Sequence, residues 1–243
     1  MDKRILLGML TPSSNTVLEP VTAAMVAGLE SVSIHYSRFP VTEIALSDSA
    51  LGQFDEGPIL AAAALLADAQ VDIIAWNGTS AGWLGFETDI RLCRRITEAT
   101  GIAATTSVLA LKEIFSARGI QSFGLVTPYL NDVQQRIVAN FAQAGFDCIA
   151  ERHLDIQVNA EFSTVSDDTL RGMVREVAAA KPQAITTFCT NLRAAPLVGI
   201  LEQETGIPVY DSIAVVIWKA LQMVGMDASA LRGWGSLFEK SLK

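Results

Sequence analysis

The sequence predicts an α/β protein with two pseudo-symmetric Rossmann-like lobes, each a parallel sheet of the four-stranded type flanked by helices. Short apolar runs typical of buried strands alternate with longer amphipathic stretches typical of helices. The second half of the chain also repeats short motifs of the first half in the same order. Strand–helix alternation is typical of parallel sheets with helices on both faces.

Each predicted element has its own pattern in the chain. The short apolar runs predicted as buried strands are Arg4–Leu10, Val71–Trp76, Ser122–Val126 and Gln183–Phe188. The amphipathic stretches predicted as helices are Ile59–Ala69, Asp89–Ala99, Ala103–Arg118, Asp132–Ala144, Thr169–Ala180 and Ala194–Glu204. A last helix, Ile213–Val224, is expected to pack back on the first lobe. We therefore expect an N-terminal lobe of residues 1–117 plus 216–243 and a C-terminal lobe of residues 118–215.

The internal repeat predicts where a ligand-binding site lies. Three pairs of matching segments follow one another, namely Gly8–Ser13 with Gly124–Tyr129, Asn77–Ser80 with Cys189–Asn191, and Thr100–Ile102 with Thr205–Ile207. The first two pairs contain turns that follow predicted strands. Ligands of open parallel sheets bind beyond the carboxyl ends of the strands. The four turns are therefore expected to surround one cleft between facing lobes.

Composition and charge exclude several classes of function. Half of the residues are hydrophobic and the formal net charge is −8, which favours a folded core and disfavours nucleic acid or an anionic membrane as partner. No segment resembles a secretion signal or a membrane span, so a cytoplasmic location is expected. Three dispersed cysteines and two histidines predict neither a zinc site nor a Ser-His-Asp triad. The oligomeric state is left open, and a homo-oligomer is one option.

Small polar residues dominate the four turns, and residues of these types at the starts of helices form anion sites. Free N–H groups and hydroxyls at helix N-termini bind anions, although the same residue types also serve as ordinary helix caps. The convergence of four turns favours binding over capping alone. The substrate-binding candidates are Pro12, Ser13, Ser14, Asn15, Gly78, Thr127, Thr190 and Asn191.

Cys189 is the main candidate for chemistry, because it ends a strand at a Cys-Thr-Asn turn whose N–H groups are placed to tune its pKa. Cys93 and Cys148 lie in apolar patterns and are interpreted as inert. The Tyr129 hydroxyl is expected to face the cleft. The aromatic residues Trp76, Trp83 and Phe86 are interpreted as core or pocket wall, His153 and Asp155 as structural, and Pro40, Val41 and Ile156 as candidates for an apolar pocket.

The chain resembles a known family at several places. The segment Leu10–Thr16, the paired turns and the tail Gly233–Phe238 are similar to the maleate isomerase/arylmalonate decarboxylase branch of the aspartate/glutamate racemase superfamily. Racemases and maleate isomerases of this superfamily carry one cysteine at the turn of each lobe, and arylmalonate decarboxylases carry only the second. The first position here is Gly78 and the second is Cys189, which is the one-cysteine pattern. Such enzymes use no metal, nucleotide or organic cofactor.

The resemblance implies a cofactor-independent decarboxylase of aryl- or alkylmalonate acids. Thr79, Ser80, Tyr129 and the Thr190 amide would hold the retained carboxylate of an enediolate, and Cys189 would protonate it. A maleate cis–trans isomerase or an aspartate, glutamate or hydantoin racemase is the alternative, supported by the segment Ser13–Asn15. A more remote alternative is a non-catalytic protein that binds a small mono- or dicarboxylic acid.

Overall fold

The computed structural model describes residues 4–239 and contains two parallel sheets of four strands each. The first sheet has the order β2-β1-β3-β4, with β1 at Ile5–Pro12, β2 at Val32–Phe39, β3 at Ile73–Trp76 and β4 at Ala104–Thr106. The second has the order β6-β5-β7-β8, with β5 at Ser122–Val126, β6 at Asp147–Arg152, β7 at Ala184–Thr187 and β8 at Val209–Asp211. The identical strand order confirms the predicted pair of similar α/β lobes.

Helices cover both sheets. In chain order they are α1 (Leu18–Val26), α2 (Asp48–Gly52), α3 (Glu56–Asp68), α4 (Ala81–Leu84), α5 (Phe86–Thr100), α6 (Ser107–Ala117), α7 (Asn131–Gln143), α8 (Asp167–Ala178), α9 (Val198–Thr205) and α10 (Ser212–Met223). Short 3-10 turns occur at Asn159–Thr164, Ala195–Leu197 and Ala228–Ala230. The two glycines Gly101 and Gly206 end α5 and α9 in the left-handed conformation, which is why the Thr-Gly-Ile motif recurs.

The prediction of one helix over Ala103–Arg118 is wrong at its start. Residues Ala104–Thr106 form β4, and the helix begins only at Ser107. The Thr106 side chain accepts a hydrogen bond from the Leu109 amide at 3.1 Å and caps the helix. A three-residue strand is too short to show a period-two pattern, which is why both β4 and β8 escaped prediction. The half-buried strands β2 and β6 also escaped it.

The last helix of each half crosses to the other half. α10 packs against α6 and β3, and the Lys219 ammonium lies 2.6 Å from the Glu113 carboxylate. In return, the α6 residue Phe115 packs on Phe123 and Tyr210 of the second half. This exchange fixes how the lobes face each other. The lobe boundaries, which also include residues 1–3 and 240–243 outside the described range, stay a prediction.

One buried acid stands apart from the apolar core. Asp89 of α5 is fully buried, and neither carboxylate oxygen has a hydrogen-bond partner of good geometry among the described residues. Burial raises the pKa of Asp89 to about 7, and the hydroxyl of Thr106 opposes this rise only in part.

Candidate active site

A narrow cavity lies where the carboxyl ends of β1, β3, β5 and β7 meet. Its interior offers about 20 Å³ of room for water, which is enough for roughly one molecule. This room is too small for a carboxylic acid substrate. The cavity is lined by Pro12, Val41, Ile44, Phe54, Trp76, Gly78, Thr79, Ser80, Trp83, Tyr129, Asn159, Cys189 and Thr190.

Seven residues that the sequence singled out in the turns share this cavity, and they are Pro12, Gly78, Thr79, Ser80, Tyr129, Cys189 and Thr190. They come from both halves, as the strand-end rule predicts for facing parallel sheets. None of the lining residues carries a charged side chain. An acid bound here is therefore held by hydrogen bonds and by the apolar wall.

A chain of hydrogen bonds joins the two halves inside the cavity. The hydroxyl oxygens of Thr79 and Tyr129 lie 2.6 Å apart, and the Tyr129 hydroxyl lies near enough to the Cys189 thiol to lower its pKa. Burial raises the pKa of Tyr129 well above its usual value. Tyr129 is therefore a neutral donor at neutral pH, available to an oxyanion that displaces its present partner.

Cys189 lies two residues beyond Thr187, the last residue of β7, and is 3% exposed. The amide of Asn191 donates to its Sγ atom at 3.4 Å. Burial raises the pKa of the Cys189 thiol to about 12, while bonds from Tyr129, Asn191 and Leu192 oppose the rise. The amides thus tune the pKa as the sequence suggested, but burial has the larger effect. Cys189 is a protonated thiol at neutral pH and is suited to giving up a proton.

A buried carboxyl group lies behind the Cys189 turn. Asp211 accepts a hydrogen bond from the Thr187 hydroxyl at 2.7 Å and caps α10 by accepting from the amides of Ile213 and Ala214. Burial raises the pKa of Asp211 to about 6. When it ionises, its negative charge raises the pKa of Cys189 further.

Gly78 takes the place of a first-lobe thiol, and close packing explains why it is glycine. Its φ lies outside the left-handed region, so backbone strain does not require glycine here. A Cβ atom at Gly78 would instead lie 2.1 Å from Cζ2 of Trp76. The Trp76 indole N–H donates to the Ser80 hydroxyl at 3.3 Å, and its ring centroid lies 5.0 Å from that of Phe39.

Two asparagines that were predicted to bind substrate instead form hydrogen bonds between the two halves and do not line the cavity. Asn15 donates to the carbonyl and the hydroxyl of Thr190 at 3.1 and 3.2 Å. Asn191 accepts from the Thr16 amide at 3.0 Å and donates to the Asn159 carbonyl at 2.6 Å. All these groups are engaged within the protein.

The remaining predicted turn residues also bond internally. Ser14 donates to the Val41 carbonyl at 2.6 Å, and the Ser13 hydroxyl accepts from the Val41 amide at 3.1 Å. Thr127 donates to the Gln134 side chain at 2.7 Å and so holds the turn before Tyr129. Substrate binding by Ser13, Ser14, Asn15, Thr127 and Asn191 stays a prediction.

A backbone clasp, formed by residues 42–44 and 157–159, closes the cleft. The Ile44 amide donates to the Gln157 carbonyl at 2.9 Å, and the Asn159 amide donates to the Thr42 carbonyl at 3.0 Å. The Gln53 side chain supports the first strand of the clasp by accepting from the Thr42 amide at 2.6 Å. Ile44 and Asn159 line the cavity from the clasp.

The sequence missed Ile44, Phe54 and Asn159 as lining residues. Ile44 begins the short apolar run Ile44–Leu46 and Phe54 stands alone between Gln53 and Asp55, which are usable signals, whereas nothing local marks Asn159. Of the three pocket candidates, Val41 lines the cavity, and neither Pro40 nor Ile156 does.

The other interpreted residues have ordinary surroundings. Trp83 lines the cavity together with Trp76, whereas Phe86 packs on Phe141 at 5.1 Å. His153 bonds Glu151 at 2.9 Å, outside the cavity. Between residues 4 and 239 there is no cluster of three metal-ligating side chains, and no helix has the length and apolar character needed to cross a membrane.

Comparison with known proteins gives consistent matches. The family model of arylmalonate decarboxylase matches residues 12–238. Arylmalonate decarboxylase of Bordetella bronchiseptica is 28% identical over 172 residues, which is 70% of this chain and 72% of that protein. Maleate isomerase of Geobacillus stearothermophilus is 22% identical over 93% of this chain and 94% of that protein.

Solved structures show the same fold. The maleate isomerase of Pseudomonas putida S16 with maleate superposes with a TM-score of 0.90 at 21% identity, covering 99% of this chain and 100% of that one. A liganded arylmalonate decarboxylase mutant with one glycine-to-cysteine and one cysteine-to-serine change gives a TM-score of 0.86 at 21% identity, covering 98% and 100%. The resemblance found in the sequence is confirmed, and the chain belongs to the arylmalonate decarboxylase family, in the branch that also contains the maleate isomerases.

Proposed function

We propose that this enzyme, a decarboxylase or isomerase by its family, is a cofactor-independent decarboxylase of aryl- or alkylmalonate acids. One observation carries the proposal: the cavity holds a single thiol, Cys189, and Gly78 occupies the other lobe's position. Racemisation needs an acid and a base on opposite faces of a carbanion. Decarboxylation needs only one proton donor after CO2 has left.

The two sides of the cavity differ in a way that suits a malonate. One side offers the hydroxyls of Thr79, Ser80 and Tyr129. The apolar side is formed by Val41, Ile44, Phe54, Trp76 and Trp83. A carboxylate placed against the apolar side loses its hydration and has no cation nearby, and this favours its departure as neutral CO2. The other carboxylate keeps its hydrogen bonds.

The chemistry then proceeds in two steps. The C–C bond to the departing carboxylate breaks, its electron pair stays on the α-carbon, and an enediolate forms on the retained carboxylate. The Cys189 thiol then gives its proton to the α-carbon, which yields the monoacid and a thiolate. Water returns a proton to the thiolate when the cleft opens. Each step balances without an added oxidant or reductant.

Most of the rate acceleration would come from stabilising the enediolate. The Tyr129 hydroxyl and its partner Thr79 are placed beside Cys189, so they lie next to the developing charge. Removing one donor of such an oxyanion hole typically costs about 2.7–4 kcal/mol of barrier. Donors of this kind accelerate the reaction only when they bind the transition state more tightly than the substrate.

A maleate isomerase is the second candidate. The maleate isomerase of Nocardia farcinica has been seen with a covalently bound succinylcysteine intermediate, and the Ser13–Asn15 segment of this chain is similar to that of maleate isomerases. Attack on a double bond requires a thiolate. Burial instead raises the pKa of Cys189 to about 12, which disfavours the thiolate that this attack requires.

The proposal is tested with purified protein and no added cofactor. Phenylmalonate, methylmalonate, maleate, aspartate and a hydantoin are incubated in deuterated buffer, while CO2 release and deuterium uptake are followed together. We expect CO2 release from a malonate with one deuteron incorporated at the α-carbon. Conversion of maleate to fumarate without CO2 would establish the isomerase, and no turnover of any acid by folded protein would support the binding protein.

A further inference from the structure

We propose that Trp76 determines the specificity of proton transfer by closing the first-lobe face of the cavity. Its indole fills the space beside Gly78, so that no second proton-transfer group fits there and water is kept from that face of the intermediate. The inference rests on the proposed decarboxylation. It assigns to that reaction a residue that excludes water and a second proton donor.

The steric part is visible around Gly78. Three atoms of the six-membered ring of Trp76, namely Cζ2, Cε2 and Cη2, lie 2.1, 2.5 and 2.5 Å from the position of a Cβ atom at Gly78. Non-bonded carbon atoms prefer about 3.5–4.0 Å. Any side chain at position 78 therefore requires the indole to move. Because Trp76 itself lines the cavity, the space that it fills belongs to the reaction site.

The indole is held firmly in this place. Trp76 ends β3, where it pairs with Leu10 of β1 on one side and with Thr106 of β4 on the other. The indole N–H bonds Ser80, the ring packs on Phe39, and the residue is 1% exposed. Moving the ring would break these contacts together, so a substrate-sized movement of Trp76 is disfavoured.

The second half shows what happens without this ring. Thr187 takes the place of Trp76 there, two positions before Cys189. Its hydroxyl turns away to donate to Asp211 at 2.7 Å, and the space beside β7 is left to the thiol. Residues 76 and 187 therefore decide which half can carry a proton donor.

The chemical consequence follows from the planar enediolate. Such an intermediate accepts a proton on either face, and its stereochemical outcome depends on which faces meet a donor. An apolar ring wall on the first-lobe side supplies no acidic group, and water is excluded from the space that the ring fills. Protonation is thus confined to the face that meets Cys189.

An activity-independent experiment tests the steric part. We measure urea unfolding midpoints of wild type, Gly78→Ala, Trp76→Leu and the double variant, with Gly172→Ala as control, because a Cβ atom at Gly172 meets nothing within 4 Å. Gly78→Ala should lower the midpoint clearly in wild type and little in the Trp76→Leu background. An equal loss in both backgrounds would overturn the assignment, whatever the enzyme's activity.

A stereochemical experiment tests the functional part with a prochiral α-methyl-α-phenylmalonate. Trp76→Leu should raise the minor enantiomer at least tenfold, and Trp76→Leu/Gly78→Cys should also exchange the product's α-hydrogen with solvent deuterium. Trp76→Phe, which removes less volume, serves if the leucine variant does not fold. A folded Trp76 variant that keeps the wild-type enantiomer ratio would overturn the proposal. A wild type that releases no CO2, but shows the stability coupling, would refute the proposed function and leave the steric assignment intact.

Discussion

At the end of β3 the chain runs Trp76-Asn77-Gly78, and at the corresponding end of β7 it runs Thr187-Phe188-Cys189. The two turns follow β3 and β7, which are inner strands of sheets with the same strand order. Residues of both turns line one cavity. The first turn contributes hydroxyls and a ring wall, and the second contributes the thiol. A symmetric fold thus carries an asymmetric site.

The difference teaches that the residue inside the strand matters as much as the residue in the turn. A cysteine at position 78 would not by itself make the halves equivalent, because the Trp76 ring occupies the space that its side chain needs. Sequence analysis noticed the glycine and the cysteine. The reason for the glycine appears only from the packing of its neighbour.

The largest expected effect comes from removing the thiol, which makes both turns incapable of proton donation. Cys189→Ala should lower kcat by at least about 10³-fold, at the upper part of the range for a positioned acid. Its circular dichroism and unfolding midpoint should stay close to wild type. Cys148→Ser, at a partly buried cysteine outside the cavity, is the control and should keep its activity. Full activity in Cys189→Ala would remove this residue from the mechanism.

The first turn is tested next through its bond to Tyr129. Tyr129→Phe and Thr79→Ala should each lower kcat about 10²- to 10³-fold with little change in KM, because a donor to the developing charge acts mainly in the transition state. Steady-state kinetics with a malonate substrate separate the two parameters. If only KM rises, the two hydroxyls bind the ground state and the oxyanion-hole role is wrong.

The buried acids of the two halves, Asp89 and Asp211, can be compared through the pH dependence of folding stability. Among the described residues the Asp89 carboxylate oxygens have no hydrogen-bond partner of good geometry, and burial raises the pKa of Asp89 to about 7 from 3.8. The folded state therefore loses stability as the pH rises from about 4 through 7. Asp89→Asn should remove this loss and gain on the order of 4 kcal/mol over wild type at pH 8, with little gain at pH 4. Urea unfolding at both pH values measures the difference.

Asp211 is a contrasting buried acid, because it caps α10 by accepting two amide hydrogen bonds, although burial raises its pKa as well, to about 6. Asp211→Ala should destabilise the protein by about 1–2 kcal/mol at pH 5, as expected for a lost helix cap. A pH-independent effect of Asp89→Asn would show that its carboxyl group is not the source of the pH dependence.

The smallest effect is expected at the clasp. Ile44→Val removes one methylene from the apolar wall of the cavity, and should change kcat/KM by up to about tenfold in favour of bulkier α-substituents. Its backbone bond to Gln157 remains available, so the unfolding midpoint should fall by no more than an ordinary core change. Pro40→Ala, outside the cavity wall, is the control, and identical substrate ratios in all three proteins would place Ile44 away from the substrate.

The sequence was most informative where a pattern repeats. The repeated strand ends and the repeated Thr-Gly-Ile motif predicted two similar lobes. Such features can be found in the sequence because the periodicity of hydrophobic residues and the glycines that end helices depend only on neighbouring residues. Strands β4 and β8 were missed because three residues do not establish a period. The placement of Asn15 was also not predictable. Its bond to Thr190 depends on how the lobes face each other, and that is set by the exchange of α6 and α10.

The clasp of residues 42–44 and 157–159 has a meaning for how such a site diversifies. Its bonds join main-chain groups, which every residue type except proline can supply on the donor side. The side chain of Ile44 is therefore free to vary without loosening the closure of the cleft. A substitution at this position can therefore reshape the pocket wall while the main-chain bonds between the two halves are kept.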